Sequence, residues 1–368
     1  MGKRSRRPRT TMVGSLPDTP FVSVCTPTFN RRPFIPALIK CYKSQTYDSS
    51  RMEWIVLDDG TDSVRDLFEG VEGVRYFRVE EKMTLGAKRN AIHAKCKGDV
   101  IVYMDDDDFY PASRVSHAVS VLKGNPKALC AGSSQLYTYF PTTGETWIFG
   151  PYGESHCTAA SMAFRRSLLT RTSYDREAAL AEEKHFLKNY TIPFVQLDSR
   201  KTIVVVSHAH NSFDKTELLK DGPNKFVRQA TTTPRDLFVD EWAADFYSKE
   251  VHTLLMDYPQ GAPSEKPDVE KQYAEIKARR EEAAVQGAQA LRTGVLVEEN
   301  GKRRELSTDE VLTTLRGQSE AIEALKARVQ ARDDLIANLR SRLDQLGAVV
   351  DAGGPDSGSS GAAAPSGC

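Results

Sequence analysis

The chain lacks an excess of charge of either sign, a long apolar run and a regular cysteine pattern. Its 368 residues include 50 basic and 50 acidic side chains, so no global field marks a nucleic-acid or membrane-surface protein. No apolar stretch approaches the ~20 residues that cross a bilayer, and the N-terminus has no apolar signal segment. The six cysteines show no CxxC spacing, which argues against a disulfide framework and indicates reduced thiols. We therefore expect a cytoplasmic protein without a membrane span.

Composition predicts five segments along the chain. Residues 1–19 are rich in Lys and Arg and are expected to be a disordered basic arm, whereas 20–258 form the main folded domain. Residues 259–306 read as a linker followed by a small helix or hairpin region, 307–347 as a coiled coil, and 348–368 as a disordered tail rich in Gly, Ser and Ala.

In the segment 307–347, apolar side chains recur at alternating steps of three and four residues. This spacing predicts a coiled coil that joins copies of the chain into a homo-oligomer. The alternative is an amphipathic helix packed on its own domain. The predicted core positions are Leu315, Gln318, Ile322, Leu325, Val329, Arg332, Ile336, Leu339, Leu343 and Leu346.

The most unusual stretch is an apolar run that leads directly into four aspartates. Val100–Tyr103 is typical of a buried parallel strand, and Asp105 to Asp108 follow it. Four adjacent carboxylates repel one another unless a cation meets them, and Mg²⁺ or Mn²⁺ prefers such oxygen ligands. Because ligands of open α/β sheets bind beyond the carboxyl ends of the strands, the position predicts a metal site. The alternative is an acidic turn that caps the next helix.

Polar residues also follow two earlier predicted strands. Phe21–Cys25 leads into a Pro- and Asn-containing loop, and Glu53–Leu57 leads into Asp58-Asp59-Gly60. The helical spacing of Pro36–Tyr47 between them predicts a right-handed βαβ unit, whose loops lie side by side. A carboxylate in such a loop commonly accepts a hydrogen bond from a ribose hydroxyl or a base N–H. Asp59-Gly60 is equally ordinary turn chemistry.

Two cations open a further predicted helix, which begins near Leu85. Lys88 and Arg89 in its first turns offer positive charge to a phosphate, or alternatively form a solvated basic face. Farther along, two β-rich runs around Gly144 predict a hairpin within Gly132–Gly153.

In this order, the motifs resemble the nucleotide-sugar glycosyltransferases of family two. The resemblance covers roughly Phe21 to Asp214. It implies a GT-A fold, which is an α/β, Rossmann-like, mostly parallel mixed sheet flanked by helices; the C-terminal helical extension is additional. The strings that carry it are Thr26-Pro27-Thr28-Phe29-Asn30, Gln45-Thr46-Tyr47, Asp58-Asp59-Gly60-Thr61-Asp62, Lys88-Arg89-Asn90, Gly98-Asp99 and Asp105-Asp106-Asp107-Asp108.

The resemblance also implies roles for single residues. Asp105 and Asp107 match the DxD pair of the family, and a divalent ion held there would neutralise the charge that develops on a diphosphate leaving group. The implied metal ligands are Asp107, Asp105 and His208, with His210 as the alternative to His208. The residues expected along the nucleotide sugar are Pro27, Thr28, Asn30, Asp58, Asp59, Arg89, Asp105 and Asp106.

The catalytic base departs from the family pattern. An inverting transfer needs a carboxylate that takes the proton of the acceptor hydroxyl. The family places it as the Asp of a Glu-Asp pair at a helix start, where this chain has Glu182-Glu183. Glu183 stands at the base position and Glu182 is the alternate. An exposed acidic first turn is the non-catalytic interpretation.

The predicted function is that of a metal-dependent inverting glycosyltransferase. It would use Mn²⁺ or Mg²⁺, a nucleotide-diphosphate sugar (a UDP-sugar, from family usage) and a glycan or other hydroxyl acceptor, without nucleic acid. A nucleotidyltransferase would carry a Gly-rich loop with a following Lys near the first strand, and Thr26–Asn30 is not such a loop. The rival from another class is a non-catalytic module that binds a nucleotide sugar or glycan and assembles through its coiled coil.

Overall fold

The computed structural model describes residues 16–220, 222–292, 295–299 and 302–352. The predicted basic arm lies outside this part of the chain as far as residue 15, and so does the predicted tail from residue 353 onward. The chain divides into two compact units between Lys277 and Ala278. The five described cysteines are buried free thiols.

The secondary structure alternates between strands and helices in the first unit. The strands are β1 Val22–Thr28, β2 Met52–Asp58, β3 Val74–Arg78, β4 Val100–Tyr103, β5 Cys130–Gly132, β6 Leu136–Phe140, β7 Glu145–Phe149, β8 Ala163–Arg165, β9 Phe194–Gln196, β10 Val204–Val206, β11 Val227–Ala230, β12 Val295–Glu299 and β13 Lys302–Leu306. The α-helices are α1 Ile35–Lys43, α2 Leu85–His93, α3 Arg114–Gly124, α4 Glu183–Phe186, α5 Pro234–Phe238, α6 Glu241–Asp245, α7 Val251–Met256, α8 Pro267–Arg292 and α9 Thr308–Ala352.

The central sheet has the strand order β3-β2-β1-β4-β8-β5-β9. Strands β1 to β4 pair in parallel, as do β5 and β9, whereas β8 runs antiparallel to β4 and β5. A second sheet of order β10-β6-β7-β11 contains the predicted hairpin, in which β6 and β7 pair antiparallel. The expected GT-A fold class is therefore confirmed: a mostly parallel mixed sheet with flanking helices and a helical C-terminal extension.

Both faces of the central sheet are buried, which explains the continuous apolar runs of β1, β2 and β4. Val24 and Trp54 belong to the hydrophobic cluster on one face, whereas Cys25 and Ile55 belong to the cluster on the other. Helices α1 and α3 contribute to the first cluster, and Ile92 of α2 contributes to the second. Parallel strands covered by helices on both sides need apolar residues at every position.

The strand register brings the polar loops together at one edge. Thr28 at the end of β1 lies opposite Asp58 at the end of β2, and Cys25 lies opposite Tyr103 at the end of β4. The loops after β1, β2 and β4 therefore meet beyond the carboxyl ends of adjacent parallel strands, where α/β proteins bind ligands.

The second unit contains a two-stranded hairpin and a long helix. β12 and β13 pair antiparallel; the predicted Asn-Gly turn at residues 300–301 lies outside the described residues. Ser307 and Glu310 form a capping box at the start of α9, in which the Glu310 N–H donates to Ser307 Oγ and the Ser307 N–H to Glu310 Oε2. None of the described helices combines the length and the apolar content that a membrane crossing requires.

Candidate active site

A charged cleft of about 150 Å³ lies where the loops after β1 and β4 meet. Four of the predicted site residues line it: Pro27, Asp105, Asp106 and Asp107. Cations share the same walls, so the cleft combines carboxylates with ammonium and guanidinium groups. The other lining residues are Phe29, Arg31, Lys82, Met83, Leu85, Lys88, Ala179, Ser212, Lys266, Asp268 and Val269.

Arg89 joins the first aspartate of the cluster to the predicted base region. Its guanidinium donates to both carboxylate oxygens of Asp105, at 3.1 and 3.0 Å, and its Nε donates to Glu182 Oε1 at 2.8 Å. The side chain of Arg89 is 1% exposed and that of Glu182 is 5% exposed. The pKa of Arg89 lies well above its usual range: burial opposes the charge, but the carboxylates of Asp105 and Glu182 outweigh it. Arg89 therefore positions two carboxylates from behind the cleft, and Glu182 is held in an ion pair.

Asp106 and Asp107 share a different cation, Arg31. The Arg31 Nε lies 3.6 Å from Asp106 Oδ1 and 3.4 Å from Asp107 Oδ2. Burial and the adjacent charge of Asp107 raise the pKa of Asp106 to about 7. Burial also opposes ionisation of Asp107, but hydrogen bonding to His208 and the nearby cations hold the pKa of Asp107 well below its usual value. Asp107 is thus the ionised carboxylate at the centre of the cleft.

His208 stands behind Asp107 and borders a second cavity of about 460 Å³. Its Nε2 lies 3.1 Å from Asp107 Oδ2, and its Nδ1 accepts the backbone N–H of His210 at 3.2 Å. Burial lowers the pKa of His208 to about 3, so the ring is neutral and donates from Nε2 to Asp107. His210 directs its backbone carbonyl, not its ring, to Arg31, at 2.7 Å.

The other predicted nucleotide residues lie behind the cleft walls. Asp59 accepts hydrogen bonds from Lys88 Nζ and the Met83 N–H, so it holds Lys88 at the cleft. Asp58 is fully buried and accepts from the Gly60 and Val64 N–H groups, which orders the loop after β2.

Thr28 and Asn30 also support the loops instead of facing the cleft. Lys88 Nζ donates to the Thr28 carbonyl at 3.1 Å. Asn30 accepts the Asp62 N–H at 3.0 Å and donates to the Gln260 carbonyl at 2.7 Å. Their contacts fix the position of β1 and of the chain around residue 260.

Glu183 is the first residue of α4 and differs sharply from its neighbour. It takes part in no ion pair within the described residues, whereas Glu182 is bound to Arg89. Burial, and then the charge of Glu182, raise the pKa of Glu183 to about 7. The groups that feel its charge are Tyr190 and Cys157. A carboxylate with this pKa is suited to accept a proton at neutral pH.

An aromatic group lies on the same side as Glu183. The ring of His156 lies 5.0 Å from that of Tyr190 and 5.2 Å from that of Tyr152, which in turn contacts Phe226 at 5.5 Å. Tyr152 is 43% exposed. The group therefore offers a partly open aromatic surface.

Sequence analysis assigned no role to two cations of the cleft, Arg31 and Lys266. Arg31 is 4% exposed and follows the first motif directly, and Lys266 is 5% exposed although it falls in the predicted linker. A charged residue next to a motif or inside a linker carries no sequence signal of burial.

The donor set around Asp107 can be tested against a divalent ion. Among the described residues, no group of three or more His, Cys, Asp or Glu side chains converges as a metal-binding set. Mg²⁺ typically needs only one or two protein carboxylates when substrate phosphates and water complete its shell. A buried, ionised Asp107 at the cleft fits that arrangement, with Asp105 nearby.

The family comparison agrees with the motifs. The model of glycosyl transferase family 2 matches residues 23–171. An uncharacterized glycosyltransferase of Haemophilus influenzae is 28% identical over 127 residues, which are 32% of this chain and 42% of the relative. Glycosyltransferase AglE of Haloferax volcanii is 27% identical over 125 residues, 33% of this chain and 41% of the relative. The chain thus spans about half the length of the curated relatives it matches.

Solved structures were also compared. Mannosyltransferase PcManGT from Pyrobaculum calidifontis, in complex with GDP-Man and Mn²⁺, is 15% identical with a TM-score of 0.43, covering 76% of this chain and 83% of its own. S. aureus TarS 1–349 in complex with UDP-GlcNAc is 14% identical with a TM-score of 0.42, covering 77% and 96%. It is the match of residues 23–171 to the family model that confirms the predicted resemblance of this chain to the family-two glycosyltransferases.

Proposed function

We propose that this chain is a metal-dependent inverting glycosyltransferase, which moves a sugar from a nucleotide-diphosphate sugar, a UDP-sugar, to a hydroxyl acceptor. The observation that carries the proposal is the Asp105–Arg89–Glu182 bridge. It links the acidic cleft to the helix start that presents Glu183. A leaving-group site and a proton acceptor are thereby held in one rigid arrangement, as the direct displacement of a nucleoside diphosphate requires.

The donor would lie in the cleft with its diphosphate among the cations. Lys88 and Arg31 line the same walls as Asp105 and Asp107. Asp107, with Asp105 and His208 beside it, would hold Mn²⁺ or Mg²⁺. When bound, the metal would supply positive charge to the diphosphate as the glycosidic bond breaks. Asp59 keeps the Lys88 ammonium in place, and the Arg31 guanidinium spaces Asp106 from Asp107.

Glu183 would act as the base. As the acceptor oxygen attacks the anomeric carbon, its proton passes to the Glu183 carboxylate, and the electron pair of the broken bond leaves with the nucleoside diphosphate. Glu182 is less suited to this role because its carboxylate is bound to Arg89. The aromatic rings of Tyr152 and Tyr190 lie on the acceptor side and favour a ligand with an apolar face, such as a glycan ring.

The first experiment is a thermal-shift panel of nucleoside diphosphates and nucleotide sugars, with and without Mn²⁺. A ligand that binds only the folded state stabilises it by ~2.7 kcal/mol at a hundred times its dissociation constant. We expect a metal-dependent shift in the wild type that Asp107→Ala abolishes. The matched control is Asp257→Ala, an exposed aspartate of the same unit, which keeps the shift. No shift with any nucleotide would contradict the proposal.

Turnover separates the enzyme from the non-catalytic module. We expect the wild type to release nucleoside diphosphate from its donor slowly in water and rapidly with acceptor. Glu183→Gln should keep the thermal shift but lose transfer by a factor of about 10²–10⁴, the usual contribution of general base catalysis. Metal-dependent binding without any turnover in the wild type would instead favour the binding module.

We further propose that residues 307–347 assemble the chain into a homo-oligomer. Several predicted core positions of α9 are about half exposed: Leu315, Ile322, Leu325, Val329, Ile336 and Leu339. Apolar side chains at heptad spacing on an exposed helix are buried when a second copy pairs with it.

A further inference from the structure

Lys266 is a buried cation that the catalytic scheme above does not use. It lines the cleft together with Asp106 and Asp107 and is 5% exposed. Its Nζ donates to the His210 carbonyl at 3.2 Å and to Ser212 Oγ at 3.4 Å. An ammonium has three N–H donors, so two are occupied by the protein. One donor is left for a ligand in the cleft.

The charge of Lys266 is poorly compensated where it lies. Among the described residues it forms no ion pair, although the carboxylates of Asp106 and Asp107 act on it from a distance. Its nearest charged influence is repulsive, because the guanidinium of Arg31 faces the same space. Two buried cations side by side are unfavourable until an anion meets them, and phosphate oxygens are the anion that such pairs commonly bind.

Lys266 is delivered to the cleft by a segment of the chain, residues 260–272, which we call the strap. Asn30 Nδ2 donates to the Gln260 carbonyl, and Arg31 Nη1 donates to the Gly261 carbonyl at 3.3 Å. Farther along, Lys82 pairs with Asp268, and Gln272 accepts the Ala179 N–H at 2.8 Å. Each contact joins the strap to a wall of the cleft.

The strap also limits the space inside. The cleft measures about 150 Å³, whereas sites for ligands of drug or cofactor size measure roughly 300–1,000 Å³. A nucleotide-diphosphate sugar therefore enters only when the strap moves outward. Its contacts are a few hydrogen bonds and one ion pair, and such a set opens at modest cost.

We propose that Lys266 binds the diphosphate of the donor and that the strap closes over the bound nucleotide to bring it there. This rests on the proposed function. Lys266 forms no covalent bond in the scheme: its ammonium donates to a diphosphate oxygen and offsets the charge that the leaving nucleoside diphosphate gains. The residue lies outside the family-matched segment 23–171, so this chain supplies part of its donor site from the strap.

The test is calorimetric binding of UDP and UMP, or GDP and GMP, to the full chain with Mn²⁺. For Lys266→Met we expect affinity for the diphosphate to fall about 10- to 100-fold, the value of one hydrogen bond from a charged donor, while that for the monophosphate changes less than about twofold. Lys266→Arg should restore most of the affinity. Lys271→Met, at an exposed position of α8, is the matched control and should bind as the wild type does.

The outcomes separate the two proposals. If the wild type binds none of the four nucleotides, the proposed function fails. If the wild type binds UDP but Lys266→Met binds it equally well, or loses UMP and UDP alike, the role of Lys266 is refuted and the proposed function stands. Hydrogen exchange gives a second readout: UDP should protect residues 260–272 more than UMP does, and this difference should disappear in Lys266→Met. Unchanged exchange in the strap would refute its closure.

Discussion

Arg89 should be the most sensitive position behind the cleft. Arg89→Met keeps the length of the side chain but removes the charge that compensates Asp105 and Glu182. The structure gives the scale of the effect, because the Glu182 side chain is only 5% exposed and that of Asp105 22%. Removing one partner of a buried ion pair costs about 3–5 kcal/mol, since the remaining carboxylate is left without a counter-charge. For a unit of this size, the melting temperature should fall by roughly 6–20 °C.

Denaturant unfolding of the single and double variants measures this effect. Glu182→Gln alone should cost less, because Arg89 keeps both hydrogen bonds to Asp105. The double variant should be more stable than the sum of the single changes predicts, with a coupling of about 0.5–3 kcal/mol. Arg235→Met is the control, since Arg235 and Glu241 pair at the surface with 75% and 74% exposure. The reasoning is refuted if Arg89→Met is no more destabilising than Arg235→Met.

Three further predictions concern other parts of the chain. Because the folded-state pKa of Glu183 is raised to about 7, above its ordinary 4.5, its contribution to stability is lost as pH rises through that window; Glu183→Gln should flatten the fall in urea midpoint between pH 4.5 and 8, and wild-type transfer should rise to a plateau above pH 7. Gly86→Ala should cost about 1–3 kcal/mol, because its Cβ would overlap the Asp175 carbonyl, whereas Gly124→Ala, with open space around it, should be neutral or stabilising; equal effects in chemical denaturation would contradict this. Leu325→Lys should shift the mass measured by light scattering toward the monomer while donor hydrolysis per chain stays constant, and an unchanged mass would exclude a coiled-coil interface at this position.

Strand positions were predictable because burial on both faces leaves a strong local signal. The apolar runs at β1, β2 and β4 correspond to the predicted strands. Helix α1 was less predictable: the pattern indicates Pro36–Tyr47, but the helix ends at Lys43. Beyond it the backbone N–H of Thr46 donates to the Ala112 carbonyl at 2.8 Å, and Gln45 donates to the Pro111 carbonyl. These bonds to a distant loop replace the last helical turn, and local periodicity does not contain them.

The site shows the same division between local and distant information. The motif order indicates which loops meet, because parallel strands place their carboxyl ends at one edge. It does not distinguish residues that face the cleft from residues that support it. Glu182 and Glu183 have identical side chains, and their difference arises from Arg89, 93 positions earlier in the chain. Arg31 likewise meets Gly261 across a separation of 230 residues, for which the sequence offers no signal.

The strap reaches the cleft from a point far along the chain, which imposes an order of events during synthesis. The family-matched segment ends at residue 171, and Lys266 follows about 95 residues later, a stretch that a ribosome makes in roughly 5–20 s. Throughout that interval Arg31 and the aspartates already exist, whereas the Gly261 carbonyl that Arg31 binds does not. A nascent chain that pauses before residue 260 therefore displays its charged cleft open to the surrounding solution, and the cleft is covered only as the strap emerges.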